Sequence, residues 1–213
     1  MVILEEELKK IVESGRLPRL LLHTCCAPCA SYVVEYLAPY FKISCLFFNP
    51  NIYPEDEYLK RAREMNRFLR EFESVNPVAL KVVPYDGAAF EKATMDFQHE
   101  PEGGKRCEIC FEMRLGETAK RAVEGDFDYF TTTLPVSPHK NAKLLNEIGS
   151  RLAAEHSTQG TGPVYLSADF KKKDCYKRSI ELSNQYGLYR QSYCGCKTTA
   201  IDDVYLSLNL TGD

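Results

Sequence analysis

Cysteine is the residue through which this chain offers chemistry. Nine of them stand at positions 25, 26, 29, 45, 107, 110, 175, 194 and 196. Three groups have spacings that can ligate metal or carry electrons: Cys25-Cys26-Ala-Pro-Cys29, Cys107-Glu-Ile-Cys110 and Cys194-Gly-Cys196. The number is odd and the chain is long, so a framework of structural disulfides is the poor reading. Thiols kept reduced serve more often as metal ligands or redox groups. Four thiolates from two separated CxxC-type pairs suit zinc. They suit an iron–sulfur cluster equally, and spacing does not choose between them. A third reading takes Cys26 and Cys29 as a thioredoxin-like redox pair at a strand–turn–helix junction. It leaves Cys25 and the Cys107 pair without a purpose. Cys194-Gly-Cys196 is different: a one-residue spacer makes a strained disulfide that breaks readily, which suits electron relay, with metal ligation as the alternative. Cys45, in an apolar run, and Cys175 read as small packing residues.

Composition narrows the remaining classes. The chain has 213 residues, 44% of them hydrophobic and 27% charged, which excludes disordered and low-complexity classes and implies one domain. Lys and Arg number 27 against 30 Asp and Glu, a net charge of −3. No overall positive field attracts nucleic acid, so any such partner must be held by a local basic patch. No apolar run approaches the roughly 20 residues that span a bilayer. The N-terminal MVILEEELKK is too early acidic and too briefly apolar for a secretory signal, so a cytoplasmic, reducing location is expected.

The cysteines need elements to position them. Residues 3–13 carry helical apolar spacing, closed by Gly15 and Pro18. The runs 19–23, 43–48, 79–84, 129–134 and 164–166 read as strands. Helices are expected over 30–37, 54–72, after Asp86, over 106–123, 141–155 and 174–186; Pro54 with Glu55, Asp56 and Glu57 marks one helix start. Alternating strands and helices predict an α/β fold, a parallel sheet with helices on both faces. In such a sheet ligands bind beyond the carboxyl ends of the strands. The Cys25 loop, Asn49-Pro50-Asn51 and Thr131–Pro138 should converge there. The Cys107 pair opens a helix behind Gly103-Gly104-Lys105-Arg106, where helix-terminal N–H groups and two cations favour thiolates.

Five blocks in order, LLHTCCAPC, FNPNIYPEDEYLKR, EGGKRCEICFEMRL, TTTLPVSPHKN and DFKKKDCYKRSIELSNQYGLYRQSYCGC, resemble the QueH-type epoxyqueuosine reductases over about residues 20–200. The resemblance implies reduction of epoxyqueuosine to queuosine at the wobble position of tRNA, the last step of queuosine synthesis. It also implies a HUP-like fold, similar to adenine nucleotide alpha hydrolases, and a 4Fe-4S cluster. Carried onto this chain, it makes Cys25, Cys26, Cys107 and Cys110 the cluster ligands and Cys194 with Cys196 a redox-active pair. An additional iron is also implied; Cys29 is the first candidate ligand, Asp86 or Asp169 the next. His139 reads as a solvated loop residue. The single domain spans 1–213, its C-terminal Cys-x-Cys segment completing the site. An electron donor is required but not identified. The alternatives are a thiol–disulfide oxidoreductase using Cys26 and Cys29, and a zinc-stabilised RNA-binding module.

The expected RNA contact is the segment 170–197. It carries Lys171, Lys172, Lys173, Lys177, Arg178, Arg190 and Lys197 against Asp174 and Glu181, with Tyr186, Tyr189 and Tyr193 interleaved. Cations bind phosphates and rings stack on unpaired bases, the usual grip on loop RNA. Arg190 and Tyr193, flanking the Cys-x-Cys pair, are the expected substrate contacts, with Lys171 and Lys172 on the backbone. The Asn49–Asn51 and Thr131–Thr133 loops either bind the modified base or are simple turn and strand-end chemistry.

Overall fold

A computed structural model describes residues 2–157, 161–170, 175–191 and 193–197. Helix α1 (Val2–Ser14) leads into β1 (Arg19–Thr24), α2 (Ala27–Leu37) and β2 (Lys42–Phe47). Then come α3 (Glu55–Glu71), β3 (Ala79–Val82), α4 (Gly87–Ala93), α5 (Lys105–Glu124) and β4 (Tyr129–Thr132). The last elements are α6 (Ala142–Glu155), β5 (Val164–Tyr165) and α7 (Cys175–Gln185). The five strands form one parallel sheet in the order β3-β2-β1-β4-β5. The fold is α/β, as expected.

The apolar run of β1 is buried on both faces, and its alternation distributes it between two cores. Leu20 and Leu22 pack with α1, α2 and α3; Leu21 packs with Phe111 and Leu115 of α5 and Leu145 and Ile148 of α6. In β2, Ile43, Cys45 and Phe47 join the first core and Leu46 the second. Cys45 and Cys175 are fully buried in the first core, the packing role expected of them.

Two boundaries differ from expectation in ways that shape the site. Helix α2 begins at Ala27 rather than Ala30, with Pro28 in its first turn, where its missing N–H costs nothing. Cys26 thereby becomes the N-cap residue and Cys29 lies in the first turn. Strand β4 stops at Thr132, because Thr132 Oγ1 accepts a hydrogen bond from Leu134 N and Leu134–Val136 turn as a short 3-10 helix. The chain crosses from β1 toward β2 and β3, then returns to β4 and β5. The order therefore reverses between β1 and β4, the switch point where a parallel sheet opens a cleft.

Candidate metal centre and active-site cavity

Cys25 follows β1 directly and lies at that switch point, 3.9 Å from Thr133 Oγ1 beyond β4. The first helical turn of α2 folds back so that the sulfurs of Cys25, Cys26 and Cys29 lie within 4.8 Å of one another. These three can hold a metal ion. Hydrogen bonds from Cys26 and then Cys29 hold Cys25 well below the usual thiol range. The same bonds push Cys29 well above it and Cys26 up to about 12. The triad thus concentrates negative charge on Cys25, the electronic requirement for binding a cation.

The other pairs meet a short distance away. Cys107 and Cys110, one turn apart on α5, border a small internal space together with Cys194 and Cys196. Cys107 Sγ accepts from Gly103 N at 3.2 Å, where Gly103 has a φ of +90° that suits glycine. Burial raises Cys107 and pushes Cys110 up to about 11. Cys25 packs against the same core cluster that contains Cys107, Cys110 and Cys196.

Four buried cations, Arg61, Arg106, Arg114 and Lys140, stand around these sulfurs. Arg114, 2% exposed, donates from Nη1 toward Cys110 Sγ (3.7 Å), from Nη2 to Asn49 Oδ1 (2.5 Å) and from Nε to His23 Nε2 (3.3 Å). His23 Nε2 lies between Arg114 Nε, which can only donate, and Phe48 O at 3.1 Å, which can only accept, while Nδ1 lies 2.8 Å from Thr132 Oγ1. Burial, then the Arg114 charge, lowers His23 to about 3 and keeps it neutral. Arg61, also 2% exposed, pairs with Glu57 at 2.6 Å and donates to Cys194 O at 3.3 Å. Its Nη2 is buried with no hydrogen-bond partner among the described residues. Lys140 Nζ lies 3.0 Å from Cys194 Sγ and 2.9 Å from Glu102. Burial disfavours this ammonium, but Cys194 and Glu102 outweigh it and hold Lys140 above its usual value. Buried positive charge beside clustered thiols, with one guanidinium N–H left over, is the environment that an anionic metal–thiolate group requires. The donor set fits an iron–sulfur cluster on these grounds.

A cavity of about 400 Å³ opens over the triad. Its wall includes Cys25, Cys29, Arg114, Lys140, Arg190, Tyr193 and Cys194, with His139 exposed at the edge. Arg190 and Tyr193, expected as substrate contacts, therefore share a cavity with the sulfurs. Lys171 and Lys172, with Lys173, lie outside the described residues.

Arg178, Tyr186 and Tyr189 of the expected RNA grip are engaged by other parts of the protein, while Lys177 and Lys197 are exposed. Arg178 binds Glu35 at 2.7 Å and Glu181 at 3.0 Å. Tyr186 packs on Phe68 and Phe72, and Tyr189 hydrogen-bonds Glu57 beneath Lys60. Their charge and rings are satisfied by α2 and α3, which a local reading of the segment does not reveal. Asn49 is likewise committed, between Arg114 and Thr24 O, and Thr131 and Thr132 bond Leu166 O and His23. Asn49, Thr131 and Thr132 thus follow the turn-chemistry alternative, whereas Asn51 lines a separate cavity. Asp86 caps α4 through Ala89 N at 3.0 Å, and neither it nor Asp169 joins the sulfur triad. Cys29 does.

Sequence reasoning passed over Arg61, Arg114, Lys140 and His23. Helical spacing held part of the signal: Arg114 is four residues after Cys110, and Arg61 four after Glu57, so each pair shares a face. Lys140 follows the His139 that did draw notice.

A family profile described as "Epoxyqueuosine reductase QueH" matches residues 20–201. The chain is 42% identical to the Epoxyqueuosine reductase QueH of Staphylococcus epidermidis, over 92% of this chain and 84% of that one. It is 42% identical to the protein of that name from Streptococcus pyogenes, over 84% and 69%, and 33% identical to that from Thermotoga maritima, over 83% and 88%. The family match spans the sulfur triad, the α5 pair and the Cys-x-Cys segment alike. The chain belongs to the QueH family of epoxyqueuosine reductases, a family of oxidoreductases.

Proposed function

We propose that this protein reduces epoxyqueuosine to queuosine at the wobble position of tRNA, as a single cytoplasmic domain whose Cys-x-Cys segment completes the active site. The observation that carries the reading is the triad of Cys25, Cys26 and Cys29 at the β1/β4 switch point, under a cavity that Cys194, Arg114 and Lys140 also line. Cys25, Cys26, Cys107 and Cys110 would hold a 4Fe-4S cluster, and Cys29 would contribute to an additional iron. When bound, such a group supplies single electrons and a Lewis acid.

Converting an epoxide to an alkene takes two electrons and two protons and releases the oxygen as water. Cys194 and Cys196 supply that pair of electrons by closing a disulfide. Lys140 Nζ, within hydrogen-bond distance of Cys194 Sγ, holds the proton at that sulfur. Arg190 and Tyr193 orient the nucleoside in the cavity, through the cationic fork and the ring face respectively. Lys171 and Lys172 would meet the tRNA backbone. Among the described residues no helix is long and apolar enough to cross a membrane.

Anaerobic reconstitution with iron and sulfide, followed by assay on epoxyqueuosine-containing tRNA, tests the reading. A brown protein that forms queuosine supports it. A colourless zinc protein would favour an RNA-binding module, and a metal-free protein with thiol–disulfide exchange activity a redox pair at Cys26 and Cys29. Cys194→Ala and Cys196→Ala should each keep the cluster and lose multiple turnover. Charge reversal across Lys171–Lys173 should weaken tRNA binding and flatten its salt dependence.

A further inference from the structure

The Cys194-Gly195-Cys196 segment stands between two cavities. Cys194 lines the larger one, with the triad. Cys196 lines a second cavity of about 300 Å³ with Asn51, Tyr53, Tyr85, Glu91 and Arg106. The two share no lining residue. The segment is held in place by Tyr53 N donating to Gly195 O (2.7 Å) and Arg61 to Cys194 O. Gly195 has a φ of +117°, and a Cβ there would meet Arg61 Nη1 and Ile52 Cγ1 at 3.1 Å, so only glycine makes this turn.

We propose that the second cavity is the docking site of the electron donor, a low-molecular-weight thiol carrying amide or ammonium and carboxylate groups, which attacks Cys196. The proposal rests on the reading of Cys194 and Cys196 as a redox pair. The larger cavity must admit the epoxide, because it alone of the two is lined by triad cysteines; the only sulfur on the second cavity's wall is Cys196. Asn51 is 3% exposed and its Oδ1 has no hydrogen-bond partner among the described residues, so it can accept from a ligand N–H. At the rim, Glu91 and Lys197 form a loose, more than half exposed ion pair at 3.9 Å, which a zwitterion can exchange for contacts with its own two charges. Tyr53, Tyr85 and Phe90 provide apolar wall for its carbon body. The volume suits a small molecule and excludes a folded protein.

The step balances as follows. Reduction of the epoxide leaves the pair as a disulfide. The thiolate of one small thiol attacks Cys196 Sγ; a bond forms between those sulfurs and the Cys194–Cys196 bond breaks. Cys194 leaves as thiolate beside Lys140 Nζ, which stabilises the departing charge and so selects the sulfur attacked. A second thiol attacks the sulfur of the first, releasing a small-molecule disulfide and Cys196 thiolate. Two thiols lose two electrons and two protons, and the pair regains both.

The test uses glutathione as the probe on cluster-loaded protein without oxygen. One equivalent of diamide closes the disulfide, one equivalent of glutathione is added, and acid-quenched peptides are mapped by fragmentation. Adduct should favour Cys196 over Cys194 by about tenfold or more. Adduct on Cys194, or on both equally, overturns the proposal and leaves the redox pair standing. Failure of diamide to join Cys194 to Cys196 overturns the redox pair itself, and the proposal with it. Lys197→Gln should slow reduction by glutathione several-fold relative to uncharged 2-mercaptoethanol; an unchanged ratio, or reduction only by a protein dithiol, also overturns it.

Discussion

The two ends of the sheet carry charge in opposite ways. At the amino end, Arg16 meets Asp128 at 3.3 Å with its side chain 74% exposed, and Lys10 meets Glu7 in similar exposure. These pairs stay in water and lose little by it. At the carboxyl end, Arg61, Arg114 and Lys140 are all below a tenth exposed. Removing a guanidinium or ammonium from water costs several kcal/mol unless its donors are met. Here Asn49, His23, Glu57, Glu102 and the sulfurs meet most of them. Nothing in packing the sheet requires cations at that depth; an anionic group held by the clustered sulfurs would. The costly end is therefore the working end.

Substitutions at the two ends should separate widely. Cys25→Ser or Cys26→Ser should have the largest effect, removing bound iron and lowering epoxide reduction by more than about 100-fold, measured by metal analysis and tRNA assay. Retained iron in either variant would take the triad out of the metal centre. Arg114→Met leaves Asn49 and His23 without their donor and should cost about 3–5 kcal/mol in denaturant unfolding. Arg16→Ala should shift stability by no more than about 1 kcal/mol. Equal losses from the two arginines would erase the contrast drawn between the ends.

His23 sharpens the contrast by pH. Its folded value, about 3, lies below the ordinary 6.5 of an exposed imidazole, through burial and then Arg114. The unfolded chain thus takes up a proton that the folded one refuses. This contribution to stability is complete above pH 6.5 and is lost as pH falls from there toward 3. A protonated ring would gain Phe48 O as acceptor, 3.1 Å from Nε2, but would set two cations together. His23→Asn should therefore flatten the acid side of the unfolding free energy by about one proton over that window. A smaller effect is expected from Lys140→Gln: fold and metal content stay near wild type while turnover falls about tenfold, read by single- and multiple-turnover assays.

Much was legible in the chain because its signals are local. The apolar runs of β1 and β2, Pro54 at a helix start, and the Cys-x-x-Cys and Cys-x-Cys spacings each declare themselves within a few residues. From these the α/β class, the carboxyl edge and the relevant sulfurs follow. Parallel strands present their carboxyl-end loops at one edge, and there the Cys25 loop meets the Thr131–Pro138 loop, 3.9 Å from Thr133 Oγ1. Which charges are buried was not legible. Arg114 on α5 and Arg178 on α7 look alike in sequence, yet one turns inward to Cys110 and the other binds Glu35 at the surface. Burial depends on what distant elements bring to a face, and the partners of Arg114 lie 65 and 91 residues away. The sequence by itself determined the α/β fold and which cysteines are candidate ligands. Only the tertiary structure decided that buried cations surround those ligands and that the Cys-x-Cys turn faces two separate cavities, because both are long-range properties of packing.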